Sequence, residues 1–115
     1  MALNTTILNI GASAMRTAIT HASTHTATPN ASGSNEGTAG REAITWNAAS
    51  AGDFDLATAL AFAGGASGEA VAAIGLWSAS TGGTFYGYFA PTGDTAFNAA
   101  GEYTVTEITV DGSVS

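Results

Sequence analysis

The chain contains no cysteine and no lysine, and its only strong bases are Arg16 and Arg41. Without cysteine it forms neither a disulfide nor a thiolate metal site, so packing, sheet hydrogen bonds or subunit contacts must supply its stability. Nine carboxylates outweigh the two arginines, which gives a net charge of −7 at pH 7. Binding to nucleic acid or to anionic lipid requires several cations close together. The composition therefore predicts neither a nucleic-acid partner nor a membrane partner.

Long apolar runs and a basic leader are also missing. No run approaches the roughly 20 apolar residues that a membrane-spanning helix needs, and the first residues lack the basic segment of a secretory signal. We therefore expect synthesis in a host cytoplasm and arrival at any other location by assembly. Only 10% of the residues are charged, which is typical of a protein inside an assembly rather than of a free monomer.

Alanine dominates the apolar content, with 25 residues among the 115. Burial stabilises a fold by about 25 cal/mol per Å² of apolar surface, and alanine has little surface to bury. We therefore expect a single small domain that is either modestly stable alone or completed by neighbouring subunits.

Residues 1–17 are the best helical candidate, with a docking arm as the alternative interpretation. Asn4 or Thr5 could cap such a helix. Apolar residues follow at partly helical spacing, at Ile7, Leu8, Ile10 and Met15. Gly11 weakens the prediction because glycine disfavours helix interiors.

Residues 18–115 predict a single domain of short antiparallel strands, either a β-sandwich or a small barrel. The strands are expected within 18–26, 41–46, 53–62, 70–77, 84–90 and 102–110. The alternation is clearest over 53–62, where one face carries Phe54, Leu56, Leu60 and Phe62. A change of apolar phase predicts a bulge near Thr106 and Glu107.

The residues that could carry chemistry favour structural roles. His21 and His25 would lie about 13 Å apart on a strand, too far to share a metal ion. Asp53 and Asp55 could hold a hard cation together with Glu69, but two carboxylates that precede a strand are more often solvated. No nucleophile elbow or phosphate-binding loop occurs. We predict no catalytic residue, no metal and no cofactor.

Aromatic residues on the later strands allow a sugar-binding platform, although aromatics on alternating strands more often form the core. Tyr86, Tyr88 and Tyr103 are the candidate surface aromatics.

The polar loop at 28–40 is the candidate interaction loop. Asn35 and Glu36 should turn the chain within its glycine-rich stretch and present a carboxylate to Arg41. The pair could form within one subunit or between two. Asn35, Glu36 and Arg41 are therefore the predicted interaction residues.

Two segments carry a family resemblance through their order and spacing. The first is His25-Thr26-Ala27-Thr28-Pro29, Gly33-Ser34-Asn35-Glu36, Gly40-Arg41 and Ile44-Thr45-Trp46-Asn47-Ala48-Ala49. The second is Ile74-Gly75-Leu76-Trp77-Ser78-Ala79 followed by Thr81-Gly82-Gly83-Thr84-Phe85-Tyr86-Gly87. Over residues 18 to 110 the chain resembles small virion proteins of tailed phages, chiefly of actinobacteria, that are usually labelled tail fibre or minor tail proteins.

The resemblance implies a non-enzymatic virion structural protein, tail-associated, whose partners are other virion proteins of the tail or capsid. A homo-oligomer is expected, with a trimer as one candidate state. A capsid decoration protein that stabilises the head lattice is the first alternative. A module that binds a host-surface carbohydrate is the alternative from another functional class.

Overall fold

The computed structural model describes residues 3–112, which form one helix followed by eight short strands. The helix α1 spans Thr5–Ala18. The strands are β1 His21–His25, β2 Glu42–Ala43, β3 Asp53–Asp55, β4 Leu60–Phe62, β5 Ala73–Trp77, β6 Phe85–Phe89, β7 Tyr103–Val105 and β8 Thr109–Asp111. All pairings are antiparallel and the sheets do not close into a barrel, so the fold is mainly β and sandwich-like, as predicted.

The main sheet has the order β2-β1-β5-β6, with β1 and β5 at its centre. Residues on both faces of these two strands are buried. Ala22 and Ile74 belong to the main apolar core on one face. Ser23, His25 and Gly75 lie on the opposite face, which loop 26–40 covers through hydrogen bonds to the strand.

The predicted strand 53–62 is wrong as one element, because the structure divides it into β3 and β4. β3 pairs with β8 and β4 pairs with β7, and the register between the two pairs is shifted by one residue. Directly after β3 the segment still bonds on both sides: the amide of Leu56 donates to the carbonyl of Ile108, and the amide of Ala57 donates to the carbonyl of Thr45 on the opposite side. Pairing with 102–111 then stops and resumes at Leu60 in the shifted register. Of the four residues predicted to share one face, Phe54, Leu60 and Phe62 are buried and Leu56 is partly buried against the core.

The same break divides the predicted strand 102–110 into β7 and β8. The interruption covers residues 106–108, where the phase change predicted a bulge. The strand expected over 41–46 also shortens to β2, because the chain beyond it turns so that Trp46 bridges to Leu56.

Helix α1 forms as predicted, and Asn4 is its cap: the side chain of Asn4 accepts a hydrogen bond from the amide of Ile7 at 3.1 Å. The helix ends at Ala18, one residue beyond the predicted segment. Its inner face contributes Ala12 to the core, and Ile19, directly after the helix, is buried as well. The indole of Trp46 donates to the carbonyl of Ile19 at 2.9 Å and so ties the end of the helix to the β-sheet domain.

Candidate functional site

The loop at 28–40 folds back against the main sheet, and Asn35 is the residue at which it turns. Asn35 adopts a left-handed backbone conformation with φ of 63°, which asparagine tolerates better than most residues. Its carbonyl accepts from the amide of Thr26 at 2.9 Å, and the amide of Gly37 donates to the carbonyl of Thr24 at 2.7 Å. These two hydrogen bonds lie on either side of Glu36 and hold it opposite His25, at the end of β1.

Arg41 pairs with Glu36 within the same chain, as one of the two predicted alternatives has it. Two parallel hydrogen bonds join them, from Nε to Oε2 at 3.0 Å and from Nη2 to Oε1 at 3.1 Å. The remaining Nη1 donates to the carbonyls of Ala79 at 2.9 Å and Gly82 at 2.8 Å. Through these bonds the guanidinium connects the 28–40 loop to the β5–β6 hairpin loop. Only 8% of the Arg41 side chain is exposed.

The indole ring of Trp77 packs against one face of that guanidinium. The Arg41 Cζ atom lies 3.5 Å from the centre of the indole ring, a cation–π contact. Phe85 packs edge-on against the same ring at 5.0 Å between centroids. Gly33 has φ of +80° and approaches so closely that a Cβ there would lie 2.5 Å from the indole Cη2. We call Gly33, Glu36, Arg41, Trp77 and loop 79–82 the arginine corner.

A buried hydrogen-bond chain begins at the other edge of the same indole. Trp77 Nε1 donates to Ser23 Oγ at 2.7 Å, and Ser23 Oγ lies 2.6 Å from His25 Nε2. His25 Nδ1 lies 2.8 Å from the carbonyl of Ser34. Because a carbonyl only accepts and an indole N–H only donates, His25 donates from Nδ1 and accepts from the Ser23 hydroxyl at Nε2.

This serine–histidine pair does not form an accessible nucleophile. Ser23 and His25 are both 0% exposed, and the arrangement uses the hydrogen-bonding capacity of both His25 nitrogens. The chain instead joins β1, β5 and the 28–40 loop. Sequence reasoning missed this role, although the period-two spacing of Ser23 and His25 on a strand was available as a signal.

Glu69 makes a second contact with the 28–40 loop, through Thr38. Its carboxylate accepts hydrogen bonds from the Thr38 hydroxyl, from the Thr38 amide at 3.1 Å and from the Ala66 amide at 3.3 Å. The hydrogen bond from the Thr38 hydroxyl is the largest cause and lowers the pKa of Glu69; burial is the next largest and opposes it, and the amides of Thr38 and Ala66 lower the pKa further, so that the net direction is downward. The folded state therefore favours the ionised carboxylate.

We expect the stabilisation from Glu69 to disappear in acid. A carboxyl whose pKa is lowered by folding contributes fully above its ordinary pKa of about 4.3, and the contribution is lost as pH falls through the folded-state pKa. Urea unfolding of the wild type and Glu69→Gln should show the wild type more stable at about pH 6 and the difference closing toward about pH 3. The exposed Glu107→Gln serves as the control, and a difference that is independent of pH would contradict the expectation.

The candidate surface aromatics divide into two groups. Tyr86 and Tyr88 are 49% and 50% exposed, at alternate positions of the edge strand β6. Tyr103 was predicted to lie at the surface, and this is wrong: it is 5% exposed and packs against Phe97 at 5.5 Å between ring centroids. Its hydroxyl donates to the carbonyl of Asp94, and burial followed by the charge of Asp94 raises the pKa of Tyr103.

The sequence contained the signal that places Tyr103 inside. Tyr103 shares its strand phase with the apolar Val105. In the structure Tyr103 pairs with the core residue Phe62.

An open groove lies beside the exposed Tyr88. It has a volume of about 490 Å³ and runs between β6 and β8, with Leu76, Phe89, Ile108 and Val110 among its lining residues. Its walls are largely apolar, and Glu107 and Asp111 also contribute to the lining.

Within residues 3–112, no group of three or more histidine and carboxylate side chains is arranged to hold a metal ion. Glu69 bonds to Thr38 and Ala66 rather than joining Asp53 and Asp55. Over the same residues, no helix is long and apolar enough to cross a membrane.

Comparison of the chain with protein-family models, curated proteins and solved structures finds no match.

Proposed function

We propose that the chain is a non-enzymatic structural subunit of a tailed-phage virion, tail-associated and of the fibre or minor-tail type, that works through protein–protein contacts. The observation that carries this proposal is the arginine corner. The two segments that resemble small phage virion proteins are distant in sequence, and they meet in space where Arg41 connects Glu36 to loop 79–82. The resembling residues thus support one structural unit.

The distribution of exposed side chains supports the same proposal. The polar groups of the arginine corner and of the buried serine–histidine chain are used within the fold. Five large apolar or aromatic side chains are also exposed: Leu3, Ile7, Ile10, Tyr86 and Tyr88. A surface of this kind, on a chain with only 10% charged residues, is suited to contacts with other proteins.

The test is the copy number of the chain in purified virions, measured by quantitative mass spectrometry against the major capsid protein. A tail-associated subunit should be present at a few to a few dozen copies per particle, as expected for small closed rings or fibres on a single tail. On the order of hundreds of copies would favour the capsid decoration protein instead. Absence from purified virions would contradict both.

A host-surface carbohydrate is the second candidate partner, favoured by one observation. Tyr86 and Tyr88 are half-exposed at alternate positions of an edge strand, and Tyr88 also lines the open groove. Aromatic rings of this kind can stack on sugars while their hydroxyls remain hydrated. Glycan-array binding by the full chain that Tyr86→Ala and Tyr88→Ala abolish would support it, and no binding at millimolar sugar would exclude it.

A further inference from the structure

Helix α1 has two apolar faces, and the β-sheet domain covers only one of them. The inner face consists of Leu8, Ala12, Met15 and the following Ile19, all buried or partly buried. The outer face consists of the apolar Ile7, Ile10 and Ala14 and ends at the polar Thr17, all exposed, with the exposed Leu3 just ahead of the helix. The two stripes lie on nearly opposite sides of the helix, since successive residues are rotated by about 100°.

The outer stripe has the spacing of a coiled-coil seam. From Leu3 the outer residues follow at alternating intervals of four and three, which is the d-a-d-a-d pattern of a heptad repeat. Ile7 and Ile10 occupy successive a and d positions and are 46% and 60% exposed. An apolar stripe at this spacing is complementary to itself, because knobs from one helix fit holes of an identical helix.

The charge distribution removes the main obstacle to self-association. Each chain carries a net charge of −7, yet no carboxylate precedes Glu36. The residues that flank the seam at e and g positions are Asn4, Thr6, Gly11, Ser13 and Ala18, none of which is charged. Copies can therefore bring their helices together without placing like charges opposite one another.

We propose that the outer face of α1, defined by Leu3, Ile7, Ile10 and Ala14, is a homo-oligomerisation seam that is occupied by the same helix of two further copies of this chain. Isoleucine at the central a position, Ile7, and at the central d position, Ile10, favours three or four strands over two, and of these we propose the trimer. The inference deepens the proposed function, since it names the chain itself as a partner, and it rests on that function only for its place in a virion.

The seam is short, so the association of the isolated chain should depend on concentration. About two heptads cover much less than the roughly 800 Å² per partner of a standard interface. A virion would hold neighbouring copies at high effective concentration and so reinforce a weak contact.

Sedimentation equilibrium of the full chain between about 10 µM and 1 mM tests the proposal. We expect a reversible equilibrium in which the trimer is the largest species. Ile7→Ser combined with Ile10→Ser should weaken association at least roughly 100-fold, because the two isoleucine side chains of the wild type are buried in the seam when the chain associates. The matched control is Tyr86→Ser combined with Tyr88→Ser, which removes two other exposed large side chains and should leave association unchanged within about threefold.

A second measurement keeps the test decisive if the serine variant folds poorly. The chain has no natural cysteine, so single-cysteine variants cross-link at one known position. Under oxidising conditions Ile10→Cys should give covalent dimers much faster than Tyr88→Cys at equal protein concentration.

Each outcome decides the proposal. A wild type that stays monomeric at about 1 mM, a seam variant that associates like wild type, or equal cross-linking of the two cysteine variants would overturn it. A monomeric chain that is nevertheless present in virions would remove the seam and leave the proposed function. An oligomeric chain that is absent from virions would support the seam and contradict the proposed function.

Discussion

Gly75→Ala should destabilise the protein by about 3 kcal/mol, which lowers the melting temperature by roughly 10 °C. An added Cβ would lie 2.5 Å from His25 Nε2 and 2.7 Å from Ser23 Oγ, so both groups must move. Displacement breaks the hydrogen bond between them and leaves fully buried polar atoms without partners. Urea unfolding followed by the fluorescence of tryptophan measures the loss.

Gly11→Ala is the matched control for the same chemical change. Gly11 lies in the exposed middle of α1, and no neighbouring atom lies within 4 Å of its added Cβ. Alanine there should stabilise the protein by about 0.5–1 kcal/mol because of its higher helix propensity. A loss below about 1 kcal/mol for Gly75→Ala would mean that the buried chain can rearrange, contrary to its assigned role.

Arg41→Ala should cost about 2–3 kcal/mol of unfolding free energy. It removes four charge-assisted hydrogen bonds and the contact over Trp77, and it leaves the carbonyls of Ala79 and Gly82 without this donor. Arg41→Lys should recover only part of the loss, because an ammonium cannot reproduce the planar fork that bonds Glu36 in two places. Urea unfolding gives the magnitude, and hydrogen exchange at the amides of Ser78 and Thr84 should show the hairpin loop opening.

The other arginine provides the control. Arg16→Ala removes an equal charge and size, but the buried Nε of Arg16 has no hydrogen-bond partner within the described residues. Its position in the last turn of α1 is worth no more than about 1 kcal/mol through the helix dipole. Equal losses for the two variants would contradict the special role of Arg41.

Local chemistry explains which parts of the fold could be predicted. Asn4 caps α1 because a short polar side chain reaches an amide three residues ahead, and both groups lie in one stretch of sequence. The pairing of Glu36 with Arg41 spans only five residues in a glycine-rich loop. Each of these features depends on near neighbours, so the sequence contains both partners and the geometry that joins them.

The features that sequence reasoning missed depend on partners far along the chain. The break after β3 is a one-residue shift of register between the β3–β8 and β4–β7 pairs, and alternation along 53–62 does not contain the register of the partner strand. The buried chain joins Ser23 to Trp77, 54 residues away. Tyr103 is a different case. Its shared strand phase with Val105 indicated burial, but Tyr103 was assigned to the candidate sugar-binding surface.

The sequence by itself determined the acidic charge, the lack of disulfides, the capped helix and the mainly β character, because each follows from composition or from neighbours a few residues apart. Only the tertiary structure decided that one stripe of α1 is covered and the other exposed. It also decided that Trp77 serves both Arg41 and Ser23, since the packing of distant segments selects which of several equivalent faces meets the core.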